Sequence, residues 1–159
     1  MVHDTPTPHE NHAAAPPSTP GDLRTWEEVA DFLGRAETHG LAEAPQRIDT
    51  HAAVVFLAGP LAYKIKRPVT FPFLDFSTLG RRETACRREI AVDRPIAPQI
   101  YRRVVAITRE SDGAPAIGGT GAPIEWAVEM NRFDETATLD RMVTKGPLAP
   151  AFVDDLAAT

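Results

Sequence analysis

The feature that most constrains the fold is a pair of strand-forming runs separated by the turn residues Gly59 and Pro60. The first run, "THAAVVFLAG", and the second, "LAYKIKRPV", are rich in the β-branched and aromatic residues that favour strands. Together they predict a β-hairpin whose second strand ends at Pro68. Side chains alternate between the two faces of a strand, so Lys64 and Lys66 are expected to share one face.

The segments on either side of the hairpin predict further helices and strands. "TWEEVADFLGRA" predicts a helix that begins with a capping box of Thr25 and Glu28 and carries an apolar stripe. Gly40 and Pro45 bracket the loop that follows it. Farther along the chain, "YRRVVAIT" and "IEWAVEMNRF" predict two more strands joined by a glycine-rich return.

A long basic helix is predicted after the second strand of the hairpin, beyond an aromatic loop, "FPFLDFSTL". The helix "TLGRRETACRREIAVDR" would begin at Asp75 or Ser77 and end at Pro95. It would turn Leu79, either Ala85 or Cys86, Ile90 and Ala91 toward the core, with its arginines elsewhere. The predicted fold class is therefore α+β. An antiparallel sheet of about five strands would pack on this helix, with an N-terminal helix and further C-terminal helices.

The first 22 residues, rich in proline, alanine and histidine, are expected to be a disordered leader. They lack the apolar core of a secretory signal. Cys86 is the only cysteine, so no disulfide forms within the chain and a cytoplasmic location is expected. No run approaches the roughly 18 apolar residues of a membrane-spanning helix. A membrane partner is therefore not expected.

Positive charge is concentrated in the middle of a chain whose formal net charge is −5. The segment from Lys64 to Arg109 carries eleven lysines and arginines against four acids. Such a segment can serve phosphate groups, although solvated helix faces give the same count. A nucleic-acid-binding domain is the least favoured interpretation, because no aromatic residues are interleaved with the arginine pairs.

Lys64 belongs to the pattern with the clearest chemistry. In "LAYK" it shares a strand face with the small residue Ala62, and the helix that follows carries Glu89. Protein kinases aim a strand lysine at the nucleotide phosphates in this way and hold it with a helix glutamate. Lys66 is the alternative lysine, although its place near the strand end predicts solvation. Glu83 is the alternative acid, and its surface interpretation is an ion pair with an arginine one turn later.

Five blocks in order carry a resemblance to a known family: "THAAVVFLAG", "AYKIKRPV", "FPFLDFSTL", "RREIAVDRPIAPQIY" and "WAVEMNRF". They resemble the start of the bacterial aminoglycoside-phosphotransferase-like proteins, in many of which a kinase-like domain is fused to a P-loop ATPase domain. The resemblance covers residues 25–158. It implies that residues 23–133 form the N-terminal lobe of a kinase-like fold. Residues 134–159 would then be helices that follow the hinge and begin a C-terminal lobe.

The resemblance also implies roles for particular residues. Lys64 would contact the phosphates of ATP, and Glu89, on the counterpart of the kinase αC helix, would hold it. Met130 and Asn131 would lie near the hinge, where backbone groups meet adenine. His51 would either lie near the phosphates or cap its strand. Lys66 remains the second candidate for the lysine role.

Several kinase signatures are absent from the sequence. It has no G-x-G-x-x-G, no G-x-x-x-x-G-K-[ST] and no H-G-D-x-H-x-x-N catalytic loop. The chain as given is therefore expected to be catalytically incomplete, with no catalytic or metal-binding residue of its own. Phosphoryl transfer with ATP and Mg²⁺ to a small-molecule hydroxyl is expected only in a complete protein. The alternative is a stand-alone α+β binding or regulatory module. An exposed inter-lobe face also predicts self-association.

Overall fold

The computed structural model describes residues 20–132, and the predicted α+β class is confirmed there. The helices are α1 (Pro20–Leu33) and α2 (Leu79–Asp93), with a short 3-10 helix at Glu37–His39. The strands are β1 (Gln46–Asp49), β2 (Ala53–Ala58), β3 (Leu61–Lys66), β4 (Thr70–Phe71), β5 (Leu74–Asp75), β6 (Tyr101–Arg109), β7 (Pro115–Ile117) and β8 (Ala122–Asn131). Among the helices of residues 20–132, none combines the length and apolar character needed to cross a lipid bilayer.

The strands of residues 20–132 form one large and one small sheet. The large sheet has the order β1-β2-β3-β8-β6-β7, and the small one is the hairpin β4-β5. The strand pairs within residues 20–132 are all antiparallel. Gly59, with a φ of 60°, makes the predicted turn between β2 and β3. The connection from β3 to β6 contains β4, β5 and α2, and β8 lies between β3 and β6 and pairs with both.

β1 is a strand that the sequence pattern does not reveal. Its residues, Gln46–Asp49, lie between the loop that ends at Pro45 and the first predicted strand, where no element is predicted, and three of its four side chains are exposed. An edge strand of this kind lacks the alternation of apolar and polar side chains that marks a strand in sequence. Within residues 20–132 the large sheet therefore has six strands rather than about five, and α2 follows its third strand rather than its second. The hairpin β4-β5 likewise occupies part of the segment expected to be an aromatic loop.

α1 and α2 pack on opposite faces of the large sheet. The core between α1 and the sheet is formed by the buried side chains of Trp26, Val29, Ala30, Leu33, Val54, Phe56, Ala58, Tyr63, Ile65, Val105, Ile107 and Ala127. The core between α2 and the sheet is formed by the buried side chains of Ala62, Cys86, Val128 and Met130. The expectation that the sheet packs on one helix is therefore wrong for the described residues, because its central strands bury side chains on both faces. Each large apolar side chain buried in this way contributes about 1.5–3 kcal/mol.

α1 begins at Pro20, upstream of the predicted capping box at Thr25. A proline suits the first turn of a helix because the N–H it lacks would have no partner there. The first turn of α1 therefore overlaps the end of the predicted leader at residues 1–22. The remainder of that leader, and the helices predicted for residues 134–159, lie outside the described residues.

Trp26 ties α1 to the large sheet. It belongs to the predicted apolar stripe, whose members Val29 and Leu33 are completely buried. Its indole Nε1 donates a hydrogen bond of 2.7 Å to the backbone oxygen of Lys66. α1 is thereby fixed against the end of β3 that also carries the two lysines.

Candidate functional site

Two lysines of β3 meet one glutamate of α2. Nζ of Lys64 lies 2.9 Å from Oε1 of Glu89, and Lys66 donates a short hydrogen bond to Oε2 of the same carboxylate. Both lysines point to one face of β3, as the alternation predicts, and Ala62 on that face packs beneath α2. The tertiary fold thus brings three of the predicted site residues together.

The two lysines differ in exposure. The side chain of Lys64 is 29% exposed, whereas those of Lys66 and Glu89 are 9% and 11% exposed. The expectation that Lys66 would be solvated is therefore wrong. Phe76 packs over this end of the strand, and Nζ of Lys66 lies 5.6 Å from the centre of the Phe76 ring, a cation–π contact. Lys64 is consequently the lysine of the pair that is more accessible to solvent.

Glu89 is ionised near neutral pH. Burial by itself would raise the pKa of its carboxyl, but the ammonium groups of Lys66 and Lys64 outweigh that effect and hold the pKa below its ordinary value. The cluster therefore contains two cations and one anion. Lys64 is the more exposed of its two cations.

An enclosed ion pair fixes α2 against the sheet. Nε of Arg82 lies 3.0 and 2.9 Å from the two carboxylate oxygens of Glu125 on β8, and its Nη1 donates to the backbone oxygen of Phe76. Sequence reasoning missed this pair and placed the arginines of the helix outside the core. No local signal reveals it, because Arg82 occurs in an arginine pair typical of a solvated helix and its partner lies 43 residues away.

Apolar side chains surround Lys64 on its own face of the sheet. Val55 lies directly opposite Lys64, and Leu57 lies directly opposite Ala62. Ala62 is buried, while Val55 and Leu57 are half-buried and pack at the margin of the α2-side core. A partly exposed ammonium group next to a partly exposed apolar surface can bind a ligand that has both an anionic and a flat apolar part.

Met130 and Asn131 end β8, and their side chains are engaged within the protein. Met130 pairs with Ala62 and is 7% exposed, so it belongs to the core beneath α2. The side-chain amide of Asn131 donates to the backbone oxygen of Gln99, and its carbonyl oxygen accepts a hydrogen bond from Arg102. A hinge role for these two residues would depend on their backbone groups, and it stays a prediction.

The alternative site residues do not join the cluster. Glu83 forms the surface ion pair considered for it: its Oε1 lies 2.8 Å from Nη2 of Arg87, one helical turn later. His51 is exposed in the short connection between β1 and β2, which consists of residues 50–52. That connection contains no glycine and is therefore not a glycine-rich phosphate loop. Glu89 is therefore the acid that meets the lysines.

A cavity of about 640 Å³ lies beside the Lys66–Glu89 pair, between α2 and the hairpin β4-β5. Leu74, Phe76 and Val92 contribute apolar surface to it. Asp75 and Asp93 also line it, but residues 20–132 contain no group of three or more histidines, cysteines or acids arranged to hold a metal ion.

Ion pairs neutralise much of the basic segment between residues 64 and 109. The pairs are Arg67 with Asp49, Arg81 with Asp75, Arg82 with Glu125, Arg87 with Glu83, Arg102 and Arg103 with Glu129, and Arg109 with Glu28. A phosphate backbone would have to compete with these carboxylates for the same guanidinium groups. This pairing disfavours a nucleic-acid-binding surface.

Comparison with known proteins shows similarity to mycobacterial proteins. A segment of 126 residues is 34% identical to uncharacterized proteins of Mycobacterium tuberculosis, in strains H37Rv and CDC 1551, and of Mycobacterium bovis. The matched segment covers 78% of this chain and 24% of each of those proteins. The chain thus spans about a quarter of the length of the curated relatives it matches. No protein-family model matches the chain, and no solved structure matches it significantly.

Proposed function

We propose that residues 20–132 are the nucleotide-binding N-terminal lobe of a kinase-like small-molecule phosphotransferase, in which Lys64 contacts the phosphates of ATP. The observation that carries the proposal is the ion pair between Lys64 on the third strand and Glu89 on the helix that follows it. Protein kinases place the phosphate-contacting lysine on their third strand and pair it with a glutamate of the next helix.

The surroundings of Lys64 suit this role. Its ammonium group is partly exposed, so a phosphate can approach it, and Glu89 holds its side chain in one position beforehand. A phosphate oxygen can take the place of the carboxylate oxygen at the ammonium group, because both are anionic acceptors of the same charge-assisted hydrogen bond. Val55 and Leu57 supply apolar surface against which a nucleobase can pack.

Residues 20–132 fit the nucleotide better than they fit its metal ion. No cluster of metal ligands exists among them, and phosphoryl transfer requires oxygen ligands for Mg²⁺ and a carboxylate that orients the nucleophile. Those groups, and the pocket for the hydroxyl acceptor, would belong to a C-terminal lobe. A cytoplasmic location is part of this proposal, because ATP is abundant there.

The proposal is tested by titrating the chain with Mg·ATP and measuring the shift in melting temperature, with a fluorescent ATP analogue as a second probe. Lys64→Met should weaken binding by at least about tenfold, which corresponds to the loss of one charge-assisted contact. Arg24→Met is the matched control, because Arg24 is an exposed cation on α1, across the sheet. A wild-type chain that shows no binding at millimolar ATP, or a Lys64→Met variant that binds as wild type does, would contradict the proposal.

A further inference from the structure

Glu89 has more cationic partners than the positioning of one lysine requires. Its two carboxylate oxygens each accept a hydrogen bond from a different ammonium group, Oε1 from Lys64 and Oε2 from Lys66. If the role of Glu89 were only to hold Lys64, one partner would suffice. The second lysine therefore needs an explanation of its own.

The surroundings of Lys66 suit a permanent partner of Glu89. Its side chain is 9% exposed, Phe76 lies against its ammonium group, and its backbone oxygen accepts the hydrogen bond from Trp26. Lys64, at 29% exposure, has solvent on one side and room to move. One lysine is thus held in the protein interior and the other lies at its surface.

We propose that Lys66 is a positioning residue that keeps Glu89 paired when Lys64 turns from Glu89 to the phosphates of the bound nucleotide. The inference rests on the proposed function and extends it, because it assigns different tasks to two lysines on one strand face. Lys64 contacts the ligand, and Lys66 acts only through Glu89.

The physical reason is the cost of an unpaired buried charge. Glu89 is 11% exposed, and a carboxylate in such a site is strongly destabilised when it loses its cation. With Lys66 in place, Glu89 retains one ammonium partner after Lys64 has moved. Without Lys66, Glu89 would compete with the phosphates for Lys64, or it would take up a proton.

The other titratable groups near Glu89 do not substitute for Lys66. Burial raises the pKa of Cys86 on α2 and that of Tyr101 on β6 to about 12, so both are neutral near pH 7. Besides Glu89, the charged groups of α2 that line the cavity are Arg81, Arg88 and Asp93, and Arg81 is paired with Asp75. Within residues 20–132, the cations that hydrogen-bond Glu89 are the two lysines.

A mutant cycle on nucleotide binding tests the inference. Lys66→Met with Lys64 intact should weaken Mg·ATP binding by about tenfold, because Glu89 then retains Lys64. Adding Glu89→Gln to Lys66→Met should restore most of the lost affinity, because the competing carboxylate is gone. A direct phosphate contact by Lys66 predicts no such rescue, because removing Glu89 would not replace the lost contact. The inference is overturned if Lys66→Met binds as wild type does, or if the double variant binds no better than Lys66→Met.

A second measurement does not depend on nucleotide. The pKa of the Glu89 carboxyl, followed by carbon-13 NMR with Glu89→Gln to assign the signal, should rise more in Lys66→Met than in Lys64→Met. An equal or smaller rise would overturn the assignment of Lys66 as the permanent partner. If Lys64→Met leaves nucleotide binding unchanged, the proposed function fails. The NMR comparison still decides whether Lys66 is the main partner of Glu89.

Discussion

Arg82 of α2 and Glu125 of β8 form an ion pair that the protein encloses completely, with side chains 2% and 0% exposed. Glu89 follows Arg82 by two helical turns on the same face of α2, so the pair also fixes where Glu89 stands relative to β3. The position of the lysine cluster thus depends on a contact on another strand of the sheet.

Breaking this pair should destabilise the fold more than replacing it. Arg82→Met leaves Glu125 as a buried carboxylate without its cation and should lower the free energy of unfolding by about 3–5 kcal/mol. The double change Arg82→Met with Glu125→Leu removes both charges and should recover much of that loss. Urea denaturation followed by circular dichroism measures both. Equal destabilisation by the single and double variants would show that packing, rather than the unpaired charge, is the main contribution.

The pH dependence of stability should reveal the state of Glu89. In the folded protein the pKa of Glu89 lies below its ordinary value of 4.5. The ionised carboxylate therefore stabilises the fold at pH values above 4.5, and this stabilisation is lost as the pH falls through the pKa of the folded state. Glu89→Gln should therefore cost about 2 kcal/mol at neutral pH, less than a fully buried pair because Lys64 is partly exposed.

The difference between wild type and Glu89→Gln should shrink as the pH is lowered below about 4.5. Glu83→Gln is the control, because Glu83 takes part only in a surface pair with Arg87 and should change stability little at any pH. A difference between wild type and Glu89→Gln that stays constant from neutral pH to pH 3 would contradict this account of Glu89.

Two glycines should respond to alanine in opposite directions. A Cβ at Gly121 would overlap the backbone carbonyl of Arg109, so Gly121→Ala should destabilise the protein by about 1–3 kcal/mol. A Cβ at Gly80, in the first turn of α2, meets no atom within 4 Å. Gly80→Ala should therefore stabilise the protein by up to about 1 kcal/mol through helix propensity. The melting temperatures of the two variants give the comparison, and a Gly121→Ala variant as stable as wild type would contradict the register of β6 and β8.

The apolar surface beside Lys64 should make the chain self-associate. Val55 and Leu57 are half-buried there, and an apolar surface that is not covered favours association. Light scattering at increasing concentration should show a rising mean mass, and Leu57→Gln should reduce it. Phe73→Ser is the matched control, because Phe73 is 86% exposed at the tip of the hairpin β4-β5. A wild-type chain that stays monomeric would refute the prediction.

Features set by neighbouring residues could be predicted from the sequence. The alternation along β3 put Lys64 and Lys66 on one face, and the spacing of Val29 and Leu33 predicted the buried side of α1. The turn at Gly59 was predicted for the same reason. Strand alternation, helix periodicity and turn conformation all arise within a few residues of chain, so a single sequence contains them.

Burial of polar groups could not be predicted in this way. Arg82 and Lys66 look like solvated residues in sequence, and each is buried because a distant element covers it: β8 supplies Glu125, and α2 supplies Glu89. β1 was missed because an edge strand with exposed side chains has no apolar alternation. The sequence by itself therefore determined the two helices, the hairpin of β2 and β3 and the long strands β6 and β8, together with the faces of α1 and β3. Only the tertiary structure decided which charges lose their water, because that depends on partners far away in the chain.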